Sequence, residues 1–94
     1  MPRLDLPALH GHPALPGHFP GQPIVPGVVL LTLARQAIEA ASRRRMNGLP
    51  TAKFLSPAGP QDALQLDFQL GEDSARFEIL SGERRIASGR FTLV

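Results

Sequence analysis

Residues 26–48 read PGVVLLTLARQAIEAASRRRMNG, and the fold turns on how this stretch is placed. Pro26-Gly27 opens it, and Asn47-Gly48 followed by Pro50 closes it, which are start and stop signals for a helix. Its first half is apolar nearly all round, the mark of a helix buried by its surroundings. The polar positions Thr32, Arg35 and Gln36, Glu39 and Arg43 recur at helical spacing and share one stripe. The arginines at the C-terminal end suit the negative pole of the helix dipole.

Beyond this stretch the pattern changes to antiparallel sheet. Residues 50–56, PTAKFLS, form a short extended run, and the turn-rich PAGPQD follows. Leu64, Leu66, Phe68 and Leu70 then alternate with Gln65, Asp67 and Gln69, the clearest strand in the chain. Gly71-Glu72-Asp73 turns into a run from Ser74 to Ser81 with Ala75, Phe77 and Ile79 on one face. Ser81-Gly82 makes a tight hairpin into the last strand, Arg84 to Val94. Upstream, Leu4 and Leu6 suggest a short first strand ended by Pro7. One long apolar helix joined to about four meandering strands is an α+β pattern. The helix surface is too wide for one flat contact, so a curved sheet is expected to wrap it.

Ninety-four residues make a single domain, residues 1–94, small enough to gain stability from pairing with another subunit. The absence of cysteine excludes disulfides, thiolate metal sites and thiol nucleophiles. The net charge of +2 is no dense basic field, and the cations lack interleaved aromatic residues, so nucleic acid is not expected as a partner. The longest apolar run, Gly27 to Ala34, is too short to span a bilayer, and the first residues lack a signal-peptide core. A soluble, cytoplasmic protein without membrane contact is expected. His10 and His12 have H-x-H spacing but no third ligand nearby, so no metal and no cofactor is expected.

Seven of the ten prolines fall in the first 26 residues, with Leu15, Phe19, Ile24 and Val25 among them. The densest part is His18-Phe19-Pro20-Gly21-Gln22-Pro23-Ile24-Val25-Pro26-Gly27-Val28. Three prolines fix φ here and two glycines permit unusual conformations, so the tract reads as a stiffened loop. It ends at a helix N-terminus, where unpaired N–H groups and the positive dipole end can polarise a carbonyl. His18 beside that end is suited to proton transfer near neutral pH.

The stretch HPALPGHFPGQPIVPGVVLL closely resembles the signature of the bacterial 3-hydroxyacyl-acyl-carrier-protein dehydratases and their short relatives in fatty-acid and polyene-type pathways. FLSPAGPQDALQLDFQL and the terminal ASGRFTLV also look like strands of that family. The resemblance implies a hot-dog fold and a thioester substrate, carried by acyl carrier protein or coenzyme A. It implies His18 as the base for the C2 proton and the Gly27 N–H as the group that holds the thioester carbonyl. It sets Phe19, Pro26, Val28 and Gln36 against the substrate. It further implies a homodimer or a hot-dog heterodimer, its sheets joined edge to edge. The family's third element is a helix Asp or Glu, contributed across the dimer interface, fourteen positions after the histidine; this chain has Thr32 there. A threonine hydroxyl can hydrogen-bond a substrate oxygen but cannot supply a proton as a carboxylic acid does. A dehydratase with an incomplete catalytic pair is therefore the first expectation. A non-catalytic acyl-binding or heterodimer-partner subunit and a hot-dog thioesterase are the alternatives.

Overall fold

A computed structural model describes residues 3–6, 25–59 and 62–94. Its elements are β1 (Arg3–Asp5), α1 (Gly27–Ser42), β2 (Met46–Phe54), β3 (Leu64–Leu70), β4 (Ser74–Ser81) and β5 (Arg84–Leu93). The strands form one antiparallel sheet in the order β1-β3-β4-β5-β2. This is the α+β hot-dog arrangement, with one helix packed on a five-stranded sheet.

The core lies between α1 and the sheet. The helix contributes Val29, Leu30, Leu33, Ala34 and Ile38, and the alternating strands contribute Leu66, Phe68, Phe77, Ile79 and Phe91, all buried. Phe77 and Phe91 stack with ring centroids 4.8 Å apart, an offset contact that adds to the burial of both rings. The helix is covered on one side only. Val28, Arg35, Gln36, Ala40 and Ala41 are exposed, and Leu31 and Thr32 are half-buried. The wide apolar surface inferred from sequence is thus only partly used within one chain.

Two boundaries differ from the sequence expectation. The helix stops at Ser42, and Arg43 takes the left-handed conformation (φ 60°, ψ 28°) as its C-cap, donating its N–H to Glu39 O at 2.8 Å. The arginine run therefore lies beyond the helix, and no basic residue occupies its last turn. Arg44 instead donates to Gly71 O and Glu72 O at 3.2 and 2.6 Å, tying the β3–β4 turn to the segment after the helix. Glu39, on the polar stripe, accepts the Met46 N–H at 3.0 Å and so anchors the start of β2.

The second difference is β2 itself, which begins at Met46 and runs through Asn47, Gly48 and Pro50. An edge strand tolerates Gly and Pro because one side of its backbone needs no partner. The pairing with β5 slips twice, between Met46 and Gly48 and between Gly48 and Thr51, which absorbs both residues as bulges. From Asn47 to Phe54 every residue is exposed, so the strand shows no alternation that a sequence reading can find.

The β4–β5 hairpin turns at Gly82 and Glu83. Gly82 has φ +63° and Glu83 does not adopt a positive φ, which is the glycine-first two-residue turn that matches strand twist. Gly89 on β5 serves a different need. A Cβ there would overlap Thr51 O and meet the Phe77 ring at 2.8 Å, so glycine lets β2 and the core ring approach the same point. Gly89→Ala should lower stability by roughly 1–3 kcal/mol, the usual range for overpacking. Urea unfolding followed by circular dichroism measures it, and an unchanged midpoint contradicts the packing described.

The segment before β3 is held electrostatically. Asp62 accepts the Gly59 N–H at 2.7 Å, the Ser81 hydroxyl at 3.3 Å and Arg84 at 3.2 Å. The Gly59 N–H, with Arg84 and Ser81 assisting, holds the Asp62 carboxyl below the ordinary carboxylate range. Asp67 is lowered likewise by its hydrogen bonds from Arg3. Depressed folded values stabilise the native state above the unfolded pKa of about 4, and that contribution disappears as pH falls through the folded values. Asp62→Asn should therefore narrow the difference in urea midpoint between pH 7 and pH 3; an unaltered difference would show that Asp62 is not a linked group.

Candidate active site

The site is built on the first turn of α1. Val25 is buried and donates its N–H to Ala58 O at 2.7 Å, which pins the approach to the helix. Pro26 follows as N-cap with φ −60° and ψ 144°, the extended geometry proline favours, and makes no side-chain cap. The Pro26 carbonyl accepts from Val29 N–H at 3.0 Å and Leu30 N–H at 3.3 Å. The N–H groups of Gly27 and Val28 precede these donors and have no acceptor within the helix. The first turn carries no acidic residue, so its positive end is not neutralised from within. Such an end is complementary to a carbonyl oxygen that gains negative charge.

Phe54 was missed by sequence reasoning and borders this turn. A Cβ on Gly27 would meet the ring carbons Cζ, Cε1 and Cε2 of Phe54 at 2.6, 2.9 and 3.2 Å. The ring is nevertheless 55% exposed. It lies across the helix end at the close of β2, half open to solvent, with the exposed Leu55 next in sequence and the 69% exposed Val28 on the first turn. The available signal was a lone aromatic in a polar run, which the sequence reading placed in a short strand without a role.

Thr32 is half-buried one turn further along the helix. Its hydroxyl donates to Val28 O at 2.8 Å, so its proton is used inside the helix and its oxygen is left to accept. Gln36 follows one turn later on the same exposed stripe. Pro26, Gly27, Val28, Thr32 and Gln36 thus share one end and one side of α1. His18 and Phe19, together with His10 and His12, lie outside the described residues.

Against known proteins, residues 3–90 match the ApeI-like family, described as ApeI dehydratase. The chain belongs to the ApeI-like dehydratase family. Among curated relatives it is 33% identical over 81 residues to the 3-hydroxyacyl-[acyl-carrier-protein] dehydratase FabZ of Syntrophotalea carbinolica, covering 76% of this chain and 55% of that protein. It is 33% identical over 99 residues to FabZ of Thermus thermophilus, covering 87% and 68%. The chain spans about half the length of several of the curated relatives it matches. Among solved structures, the dehydratase heterocomplex ApeI:P from Xenorhabdus doucetiae superposes with a TM-score of 0.72 at 25% identity, over 82% of this chain and 71% of that one. An uncharacterized protein from Erwinia carotovora subsp. atroseptica superposes at 0.73 with 27% identity, over 98% and 79%. In this ApeI-like chain, as the sequence resemblance implied, the fold and the dehydratase family agree. No helix among the described residues is long and apolar enough to cross a membrane.

The contact between Gly27 and Phe54 is testable. Because the overlapping atoms are the far end of a half-exposed ring, Gly27→Ala should displace the ring rather than unfold the chain. The expected stability loss is below about 1 kcal/mol, and Gly27→Ala/Phe54→Ala should show no additional strain. A large loss in the single variant that persists in the double variant would mean that the ring does not lie against Gly27.

Proposed function

We propose that this chain is a dehydratase-type subunit acting on a 3-hydroxyacyl thioester carried by acyl carrier protein or coenzyme A. The observation that carries the reading is the bare first turn of α1. Among the described residues nothing accepts from the Gly27 and Val28 N–H groups, the turn carries no acid of its own, and the Phe54 ring forms an apolar wall beside it. Membership of a dehydratase family supplies the reaction class.

In the proposed reaction the thioester carbonyl accepts the Gly27 N–H. Its polarisation makes the C2 proton acidic, and His18 removes that proton. The C3–O bond breaks as the C2–C3 double bond forms, and the departing hydroxide takes up a proton to leave as water. Phe19, Pro26, Val28 and Gln36 line the approach. Thr32 stands where the family's helix acid is expected. Its proton is engaged by Val28 O, so it orients an oxygen or a water rather than protonating the leaving group. His18 then shuttles the proton, or a partner chain supplies the acid.

Thr32 favours a second reading, in which this chain is the partner subunit of a mixed hot-dog pair with one competent site. The Xenorhabdus doucetiae neighbour is itself described as a dehydratase heterocomplex. Either pairing has a surface to use, since β2 is an exposed edge strand beside the exposed Val28, Phe54 and Leu55.

Enoyl formation from a 3-hydroxyacyl-carrier thioester discriminates these readings. Thr32→Asp should raise the rate by on the order of 10²–10⁴-fold, the usual worth of a positioned acid. His18→Ala should abolish that gain. Thiol release without enoyl product would indicate a thioesterase instead. Inactivity of both the wild type and Thr32→Asp, with co-purification of another hot-dog chain, would leave the partner reading.

A further inference from the structure

The sheet face opposite α1 carries a depression of about 440 Å³ lined by side chains from β2 to β5. Arg76 on β4 and Arg90 on β5 are directly opposite each other, and Thr51 on β2 is the next partner of Arg90 in the same row. Lys53 and Ser88 pair in the adjacent row. Directly opposed like charges on a sheet repel and destabilise it. Among the described residues no carboxylate lies within 4 Å of Arg76, Arg90 or Lys53. The remaining residues, 1–2, 7–24 and 60–61, contain no Asp or Glu.

The two carboxylates that share the depression are already committed. Asp67 accepts two hydrogen bonds from Arg3 at 2.9 and 3.0 Å, and Glu78 pairs with Arg85 at 3.0 Å. Glu78 stands directly opposite Ser88, in the row of Lys53 and Asp67, so the unneutralised charge is densest in the neighbouring row, where Arg76 and Arg90 face each other. An acidic polypeptide or a nucleic acid laid across the face would run over both carboxylates, whereas a small anion needs only the row of Thr51, Arg90, Arg76 and Gln69, which contains none.

We propose that this face holds a binding site for a phosphate monoester, with Arg76 and Arg90 as forked donors, the Thr51 hydroxyl beside Arg90 as a further donor, and Lys53 as a third charge from the adjacent row. Two directly opposed guanidinium groups, with Lys53 lining the same depression, exceed what one carboxylate can use and suit a dianion with three free oxygens. The volume is that of a small-molecule site. The site lies on the face away from Gly27 and does not depend on the thioester reading.

The test is a titration of the intact protein with adenosine 5′-monophosphate and, separately, inorganic phosphate, followed by calorimetry and thermal unfolding. Potassium chloride at matched ionic strength is the control. Either phosphate should raise the unfolding temperature of the wild type where chloride does not. A response to the nucleotide alone would identify an organic monoester as the ligand, and equal responses would identify the phosphate group itself. Arg76→Gln/Arg90→Gln should weaken binding by about tenfold or more, while Arg45→Gln, outside the depression, should bind as wild type. Without phosphate, Arg76→Gln alone should be at least as stable as wild type, because it removes the opposed charge. The proposal is overturned if neither probe binds at millimolar concentration, if chloride acts equally, or if the double variant binds within about twofold of wild type.

Discussion

Everything at the candidate site depends on how the apolar side of α1 is fixed against the sheet. Val29, Leu30, Leu33, Ala34 and Ile38 are buried on that side, against a sheet face built from Leu66, Phe68, Phe77, Ile79 and Phe91. Burying a large aliphatic or aromatic side chain is worth roughly 1.5–3 kcal/mol, so rotation or sliding of the helix would lose several such contributions together. The helix is therefore held in one register. Its first turn, where the Gly27 and Val28 N–H groups have no acceptor among the described residues, is carried to the end of β2 and set beside Phe54. Val25 N–H on Ala58 O fixes the entry from the other direction.

The same arrangement leaves the other side of α1 uncovered. Val28 and the stripe through Thr32, Arg35 and Gln36 face outward, next to an edge strand exposed along most of its length. A domain of this size has little core to spare. The proposed pairing would give a physical use for both features, since one partner could cover the helix side and extend the sheet. That is also where an acid from outside this chain would enter a site whose own helix position bears Thr32.

The sequence reading succeeded where one side of an element is buried and failed where neither is. β3 and β4 were legible because Leu64, Leu66, Phe68, Ala75, Phe77 and Ile79 alternate with polar residues and meet the core. β2 was legible only from residue 50 on, because an edge strand exposed on both faces imposes no alternation, and Asn47, Gly48 and Pro50 read as breakers until their bulges are known. The helix end was misjudged because Arg43 to Arg45 suit a helical turn, whereas the chain turns at a non-glycine residue in the left-handed region. Pro26, Gly27, Val28, Thr32 and Gln36 were legible as one helix end and stripe. Phe54 was not, since its role comes from a close approach to Gly27 that no spacing encodes.

The central claim is that the open first turn of α1 receives a thioester carbonyl. The most direct measurement is the ¹H–¹⁵N spectrum of the labelled protein titrated with a non-reactive 3-hydroxyacyl amide of pantetheine. A downfield shift of the Gly27 amide proton that saturates with the ligand, accompanied by shifts at Val28 and Phe54, is the predicted result. A Gly27 amide that stays in place while resonances elsewhere move to saturation would contradict the account.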